Sequence, residues 1–315
     1  SSVPEPDVLS VPMLGYIAAL VAAALWAGAS ILFTRLRAHL SAPALNVLKT
    51  GLACIMMMAT LGALSGQIWP TGFSQEEILW LALSGFIGLT VGDTLLFEAL
   101  RSIGPRRTLL FATLSPPVTA LVAWPVLDEP ITWMMTLGIG VTLIGIGLVV
   151  LDRESGDSVS TEQSGRALAV GYLMAFGAAV CQALGNVATK LGGEHDALSM
   201  AIFRASVGAA TLLVYIAIRY GLSSAFRPLR NEMREAPEVS NGFMWPWSRY
   251  PIWSTLIVAT IIGTYLGIWL QVAGLRYAPS TGIAATLSST SPIFVLPLAA
   301  LFMGDTMRVK TVVAA

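Results

Sequence analysis

Residues 87–101 read IGLTVGDTLLFEALR, and residues 262–276 read IGTYLGIWLQVAGLR. The two stretches share an Ile-Gly start, a second glycine at the same spacing and a Leu-Arg end. An upstream pair repeats in the same way, with GYIAALVAA at 15–23 and GYLMAFGAA at 171–179. The chain therefore contains two related halves, each built from long apolar runs. Duplicated blocks of hydrophobic helices are typical of transporter cores, in which two halves rock about a site between them.

The composition predicts a membrane protein. Hydrophobic residues make up 55% of the chain and charged residues 11%, with a mean hydropathy of +0.74, whereas soluble domains carry about 25% charged residues. The net charge of +0 offers no basic field for nucleic acid. Cys54 and Cys181 lie in apolar runs, and His39 and His195 are predicted to lie in loops and to build no site.

No sequence motif indicates catalysis. The chain has no phosphate-binding loop, no nucleophile elbow and no zinc-binding helix pattern. We therefore expect a protein that is not an enzyme and that needs neither a cofactor nor a metal.

The apolar runs predict nine complete spans, since a membrane-crossing helix needs about 20 mainly apolar residues. A tenth span starts near Thr306, and by comparison with the first half we expect its last helix to continue beyond Ala315. The nine runs cover residues 13–33, 43–65, 77–100, 107–126, 131–151, 168–190, 198–219, 252–275 and 280–303.

Five spans per half fix the symmetry of the predicted fold. Because five is odd, the second half enters the membrane from the opposite side, and the halves are inverted repeats. The prediction is an all-α integral membrane protein with ten transmembrane helices. Its first repeat covers residues 1–152, a polar linker covers 153–166, and the second repeat covers 167–315 with helix 10 incomplete.

The distribution of cations predicts the orientation. With the N-terminus outside, Lys190 and Arg276 are the loop cations on the outer side, and all other loop cations fall inside. Lys and Arg accumulate in cytoplasmic loops, so the bias favours both termini outside.

Three motifs recur in both halves. The first helix of each repeat leads into Trp26-Ala-Gly-Ala-Ser30 or Gln182-Ala-Leu-Gly-Asn186. The second helix carries one cation, Lys49 or Arg204. The fourth ends in Leu127-Asp128-Glu129-Pro130, echoed by Met303-Gly304-Asp305-Thr306. With these motifs the chain resembles the drug/metabolite transporter superfamily, in its ten-helix branch with two EamA-type repeats, over residues 13–315.

The resemblance implies ten helices, a central cavity between the repeats, and export or exchange of small polar metabolites, as in bacterial amino-acid exporters. It also implies that the first and third helices of each repeat border the cavity. The usual family arrangement places both termini in the cytoplasm, which is the opposite of the orientation that the cations favour.

Asp93 is the sharpest candidate for a functional residue. It lies well inside the third span, where a carboxylate costs roughly 2.5–3.5 kcal/mol on insertion scales. Two interpretations stay open: a site for a substrate ammonium group or a proton, or a structural ion pair. Its counterpart in the second half is Ile268, so a site at Asp93 would be asymmetric.

Lys49 and Arg204 occupy equivalent places in the two halves. Either cation would bind a substrate carboxylate or instead pair with a carboxylate or carbonyl group inside the protein. Polar and aromatic residues on the helices that the resemblance places at the cavity would bind substrate or hold helices together. These are Trp26, Gln182, Asn186, Tyr265, Trp269 and Gln271.

Small residues predict close helix contacts in lipid. Gly88 and Gly92 have equivalents in Gly263 and Gly267, and residues 138–147 carry a third glycine stripe. That third stripe would pack within the monomer or form a homodimer face. Glu129 is interpreted as a loop or helix-start residue.

The predicted function is a secondary transporter for an amino acid or related solute, in the inner membrane of a bacterium. Its partners would be a small-molecule substrate and membrane lipid. A drug or organic-cation exporter is one alternative, and a non-transporting subunit of a larger membrane complex is another.

Overall fold

The computed structural model describes residues 10–37, 39–133, 135–140, 144, 165–219, 221, 251–291, 293 and 294. Within these ranges the regular structure is entirely helical, as predicted. The first half contributes α1 (Ser10–Arg37), α2 (Ala42–Ser65), α3 (Gln75–Ser84), the π-helical segment π1 (Gly85–Gly92), α4 (Asp93–Ala112) and α5 (Ser115–Leu127). The second contributes α6 (Gly165–Leu191), α7 (Ala197–Arg219), α8 (Ile252–Ala259), the π-helical segment π2 (Thr260–Tyr265), α9 (Leu266–Tyr277) and α10 (Thr281–Ser288).

Seven helical stretches of the described chain are long and apolar enough to cross a membrane, and each corresponds to a predicted span. They are Pro12–Arg37, Ala42–Ser65, Gln75–Ile103, Arg107–Leu127, Arg166–Leu191, Ala197–Arg219 and Ile252–Tyr277. The predicted spans 131–151 and 280–303 are described only in part. The first is helical at 133, 135–140 and 144, and the second at 281–288, 291, 293 and 294. Most of the linker and the start of the tenth span lie outside the described residues.

The connection between the third and fourth spans differs from the prediction. The sequence places a loop after Leu100, but helical hydrogen bonding continues to Ala112 and breaks at Thr113 and Leu114. The break directly precedes two prolines in the first turn of α5. Proline is accepted in the first turn of a helix, where its missing N–H is not needed, but not in the interior.

The surface of α1 shows how the chain suits lipid. Up to Ala27 its inward face is rich in small residues, with Ala19, Ala23 and Ala27 almost fully buried, whereas Leu14 and Ile17 are more than half exposed. Without a hydrophobic driving force between helices in lipid, small residues allow the close packing that holds them together. Nearer the end of α1, Leu32, Phe33 and Leu36 are buried in an apolar cluster with Phe97.

The two halves interleave through equivalent helices. Helix α1 packs along α9 and π2, while α6 packs along α4 and π1. Helices α2 and α7, which carry Lys49 and Arg204, pack against each other. In this arrangement the first helix of each half contacts the third helix of the other half, and the two second helices meet between them.

Glycines make these contacts close, as predicted. A Cβ added at Gly263 would lie 2.3 Å from the Cβ of Ala29 on α1, and one at Gly92 would lie 3.1 Å from the Cβ of Cys181 on α6. In the third stripe the result is different. A Cβ at Gly138 or at Gly140 meets nothing within 4 Å in the described part of the chain, and Gly145 and Gly147 lie outside the described residues, so the packing of this stripe stays a prediction.

The two π-helical segments occupy corresponding positions in the two halves. The Asp93 N–H bonds to Gly88 O, and the Leu266 N–H bonds to Ile261 O, five residues back in each case. Such π-turns are frequent at functional sites because they shift the backbone relative to an α-helix. The first of them delivers Asp93 to the interior.

Candidate functional site

Asp93 and Lys49 form a buried ion pair. Asp93 opens α4 directly after π1, and Lys49 lies on α2. The Nζ–Oδ2 distance is 2.6 Å, and the side chains are only 7% and 5% exposed. The ammonium group also lies 5.3 Å from the ring centroid of Phe97 and 6.0 Å from that of Phe33. Each charge is therefore balanced by its partner, and the ammonium group is also covered by two aromatic rings.

Gln182 brings the second half to the same carboxylate. It lies on α6 and donates from Nε2 to Asp93 Oδ1 over 3.3 Å. Its other amide atom, Oε1, is buried and accepts no hydrogen bond from any described residue. Asp93 thus joins α2 of the first half to α6 of the second, and Gln182 keeps a free acceptor.

Arg204 lies beside this group without a hydrogen-bond partner. The residue is 0% exposed, and its Nε, Nη1 and Nη2 atoms make no hydrogen bond within the described ranges. A Cβ added at Gly88 would lie 3.0 Å from Arg204 Nη2 and 3.5 Å from Gln182 Oε1. The backbone of π1 therefore passes next to both unpartnered groups.

Lys49, Asp93, Gln182 and Arg204 are called the Asp93 cluster below. Among the described residues, the buried charged side chains are Lys49, Asp93 and Arg204. These are two cations and one carboxylate, so the interior of the described part carries one excess positive charge. An intramembrane ionisable group is a candidate for function by default, and the sequence analysis found all four members of this cluster.

The remaining predicted site residues form two smaller groups. Gln271 on α9 donates from Nε2 to Asn186 Oδ1 over 3.4 Å. Asn186 lies on α6, one helical turn after Gln182. The Tyr265 hydroxyl lies 2.8 Å from Thr60 Oγ1, and its ring lies 6.1 Å from that of Trp269. Trp26 is half-buried on α1 and lies 3.8 Å from a Cβ built on Gly267.

Asn46 is a polar residue near the Asp93 cluster that the sequence analysis missed. It is fully buried on α2, and its Nδ2 donates to Leu89 O at 2.7 Å and to Thr94 Oγ1 at 3.2 Å. The carbonyl of Leu89 belongs to π1, so Asn46 ties α2 to the segment that positions Asp93. Asn46 lies three residues before Lys49, and residues at this spacing share a helix face. This spacing could have identified Asn46 from the sequence.

A second set of contacts joins two loops at one end of the helices. The ring of His195 stacks on Phe73 at 3.8 Å, and its Nε2 lies 3.2 Å from Glu77 Oε1. Phe73 also packs edge-on against Phe203 at 4.7 Å. The sequence analysis did not find these contacts, because they join residues that are distant in sequence; that His195 builds no functional site stays a prediction.

Glu129 does not start its own helix but caps α10 of the other half. Its carboxylate accepts hydrogen bonds from the Thr281 N–H at 2.8 Å, the Thr281 hydroxyl at 2.6 Å and the Ser280 hydroxyl at 3.0 Å. A carboxylate at a helix N-terminus satisfies free N–H groups and favours the helix dipole. The described residues contain no group of three His, Cys, Asp or Glu side chains suited to a metal ion.

Comparisons with known proteins identify the family of the chain. A family model described as the EamA-like transporter family matches the chain twice, at residues 13–151 and 169–315. A Bacillus subtilis (strain 168) protein described as the uncharacterized transporter YyaM is 28% identical over 169 residues, which is 52% of this chain. The match spans about half of that relative's length, also 52%.

A solved crystal structure has the same fold. It superposes with a TM-score of 0.64 and covers 97% of this chain and 92% of its own. The sequence identity is 17%, so the likeness concerns the fold. The boundary between the two family matches coincides with the predicted polar linker.

Proposed function

Because the chain belongs to the EamA-like transporter family of multi-pass membrane proteins, we propose that it is a secondary transporter that moves a small polar metabolite by alternating access. The substrate would be an amino acid or a related solute, and the protein would act as an exporter or exchanger. The proposed location is the inner membrane of a bacterial cell, in line with the bacterial exporters that the sequence resembles.

The observation that carries this proposal is the Asp93 cluster. Lys49 and Asp93 belong to the first family match, and Gln182 and Arg204 belong to the second. Charges inside a membrane protein are costly and mark substrate or ion pathways. A cluster that both halves contribute to is the place where a relative movement of the halves would change access.

The two smaller groups supply further contacts for a bound solute. Asn186 and Gln271 would hydrogen-bond its polar groups, since their amides already meet each other across α6 and α9. Trp26, Tyr265 and Trp269 would form an apolar wall, since all three are half-buried near π2. Sites for small molecules combine such apolar walls with a few placed polar groups.

Alternating access would follow from ten helices arranged as two inverted repeats. The interleaved packing of α1 with α9 and of α6 with α4 supports this arrangement, and so does the double family match. Inverted repeats that exchange conformations open one site to each side of the membrane in turn.

Counterflow into proteoliposomes tests the proposal. The purified protein is reconstituted, the vesicles are loaded with one unlabelled solute of a panel, and uptake of the same labelled solute is followed without ATP. The panel contains the twenty amino acids, organic acids, their amides and organic amines, with protein-free liposomes as the control. We expect saturable counterflow of at least one panel member. Uptake at the control level throughout would contradict transport and favour the accessory-subunit alternative.

A further inference from the structure

The environment of Arg204 indicates a narrower substrate class than the proposed function does. A buried guanidinium group has five N–H donors, and those of Arg204 have no acceptor among the described residues. An unpaired buried charge is strongly unfavourable unless a counter-charge joins it. The one buried carboxylate described here, that of Asp93, already pairs with Lys49 at 2.6 Å.

We propose that Arg204 and Gln182 form an anion subsite, which binds the carboxylate of a substrate with a net charge of −1 and a neighbouring hydrogen-bond donor. The carboxylate would pair with the guanidinium group of Arg204, since the two match in a planar, bidentate geometry. The donor, a hydroxyl or amino group beside that carboxylate, would bond to the free Oε1 of Gln182.

Charge balance sets the net charge of this solute. Among the described residues, Lys49, Arg204 and Asp93 together leave one positive charge in the interior. A neutral amino acid would bring both signs and leave that excess in place, whereas a 2-hydroxy acid or an acidic amino acid would neutralise it. The inference therefore rests on the proposed function and narrows its substrate class.

Gly88 lets the backbone of π1 approach the guanidinium group closely. A side-chain carbon at this position would lie 3.0 Å from Arg204 Nη2 and 3.5 Å from Gln182 Oε1. The glycine therefore lets π1 pack directly against both unpartnered groups, and a methyl group at this position would press on the guanidinium group. The neighbouring Gly185 on α6 keeps a Cα, not a side chain, 3.8 Å from the same point.

The test is thermal unfolding of the purified protein in detergent with matched probes at constant ionic strength. The probes are 2-hydroxy acids of three to six carbons, their amides and the acids without the hydroxyl, together with glutamate and glutamine. A ligand that binds the folded state raises Tm by mass action, by roughly 5 °C near saturation. We expect such a rise with a 2-hydroxy acid or with glutamate, and none with the amides or glutamine.

Two variants test whether the rise in Tm comes from binding at Arg204 and Gln182. Arg204→Met should lose the response and should unfold at or above the wild-type Tm without ligand, because an unpaired buried charge is removed. The same substitution at the exposed Arg219 of α7 is the control and should keep the response. Gly88→Ala keeps the guanidinium group and should weaken binding of the acid at least tenfold. This variant replaces Arg204→Met in the test if Arg204→Met does not fold.

Each of the following results would contradict part or all of the proposed anion subsite. A Tm rise with the acids that persists in Arg204→Met, or no rise with any acid of the panel, overturns the anion subsite. A rise with the amides or glutamine that equals the rise with the acids overturns the charge argument. Counterflow of a neutral or cationic solute that Arg204→Met leaves unchanged would also overturn the subsite, while the proposed transport function would stand.

Discussion

At the scale of single residues, Asp93 shows how far sequence reasoning reaches. Its depth in an apolar span predicted a charge with a partner or a function, and the candidates for the partner were Lys49 and Arg204. The structure pairs it with Lys49. The sequence could not tell which cation pairs with Asp93, because Lys49 and Arg204 occupy equivalent positions in the two repeats. The pairing depends on how π1 directs Asp93 towards α2.

The ion pair predicts a large stability loss for Asp93→Asn. The substitution leaves Lys49 buried without a counter-charge, and loss of one partner of a buried pair costs about 3–5 kcal/mol. Adding Lys49→Met should recover most of this loss, because the remaining unpaired charge is removed. Thermal and denaturant unfolding in detergent measure both steps.

The control for this series is Lys49→Met alone, which leaves the carboxylate unpaired and should be destabilising as well. The cycle of the two single variants and the double variant isolates the coupling between the side chains. A single Asp93→Asn variant as stable as the wild type would contradict a structural contribution of the pair.

Other residues were beyond the reach of the sequence for a different reason. Glu129 and His195 lie in predicted loops, where periodicity carries no information. Their partners, Thr281 and Glu77, are in the other half of the chain. Such contacts depend on which helix ends lie side by side, and one sequence does not reveal this.

At the scale of the helices, the glycine spacing correctly predicted close approach but not the π-turns. The decisive glycine of π1 is Gly85, outside the predicted Gly88 and Gly92 pair. A Cβ at Gly85 would lie 2.2 Å from the backbone O of Arg204. Because a π-turn is set by packing between helices, local propensity gives no signal for it.

Gly85→Ala should therefore destabilise the protein, by about 1–3 kcal/mol if the backbone can adjust, as in other overpacked interiors. The obstacle is a backbone atom of α7, which cannot rotate away as a side chain would. The matched control is Gly51→Ala in α2, where an added Cβ meets nothing within 4 Å. That control should be neutral or slightly stabilising, since Ala favours a helix over Gly by about 1 kcal/mol.

Thermal unfolding of the two alanine variants in the same detergent gives the comparison. Equal unfolding temperatures for Gly85→Ala and Gly51→Ala would show that π1 and α7 are not packed as closely as described.

At the scale of the whole molecule, the sequence predicted the fold class well because lipid imposes simple rules. Apolar length identified the seven spans that the structure describes in full, and the repeated motifs identified the family. The interleaving of the halves was not foreseen, because contact between α1 and α9 depends on tertiary packing. The number of ten helices remains a prediction.

The orientation is a prediction at this scale. The cation bias places the α2–α3 loop outside and the α1–α2 turn inside. In a background with Cys54→Ala and Cys181→Ala, Thr71→Cys should react with a membrane-impermeant maleimide on intact cells. His39→Cys, which is also exposed, should react only after the cells are opened. The reverse labelling would restore the usual family arrangement.

The central claim is that a buried polar cluster between the two halves carries transport. The most direct measurement is counterflow in proteoliposomes by the Lys49→Met, Asp93→Asn double variant, with a solute that the wild type transports. The account predicts a folded protein near wild-type stability whose transport falls at least tenfold, because the paired charges that both halves contact are gone. Transport by the double variant at the wild-type rate would contradict the claim and leave the ion pair a structural role alone.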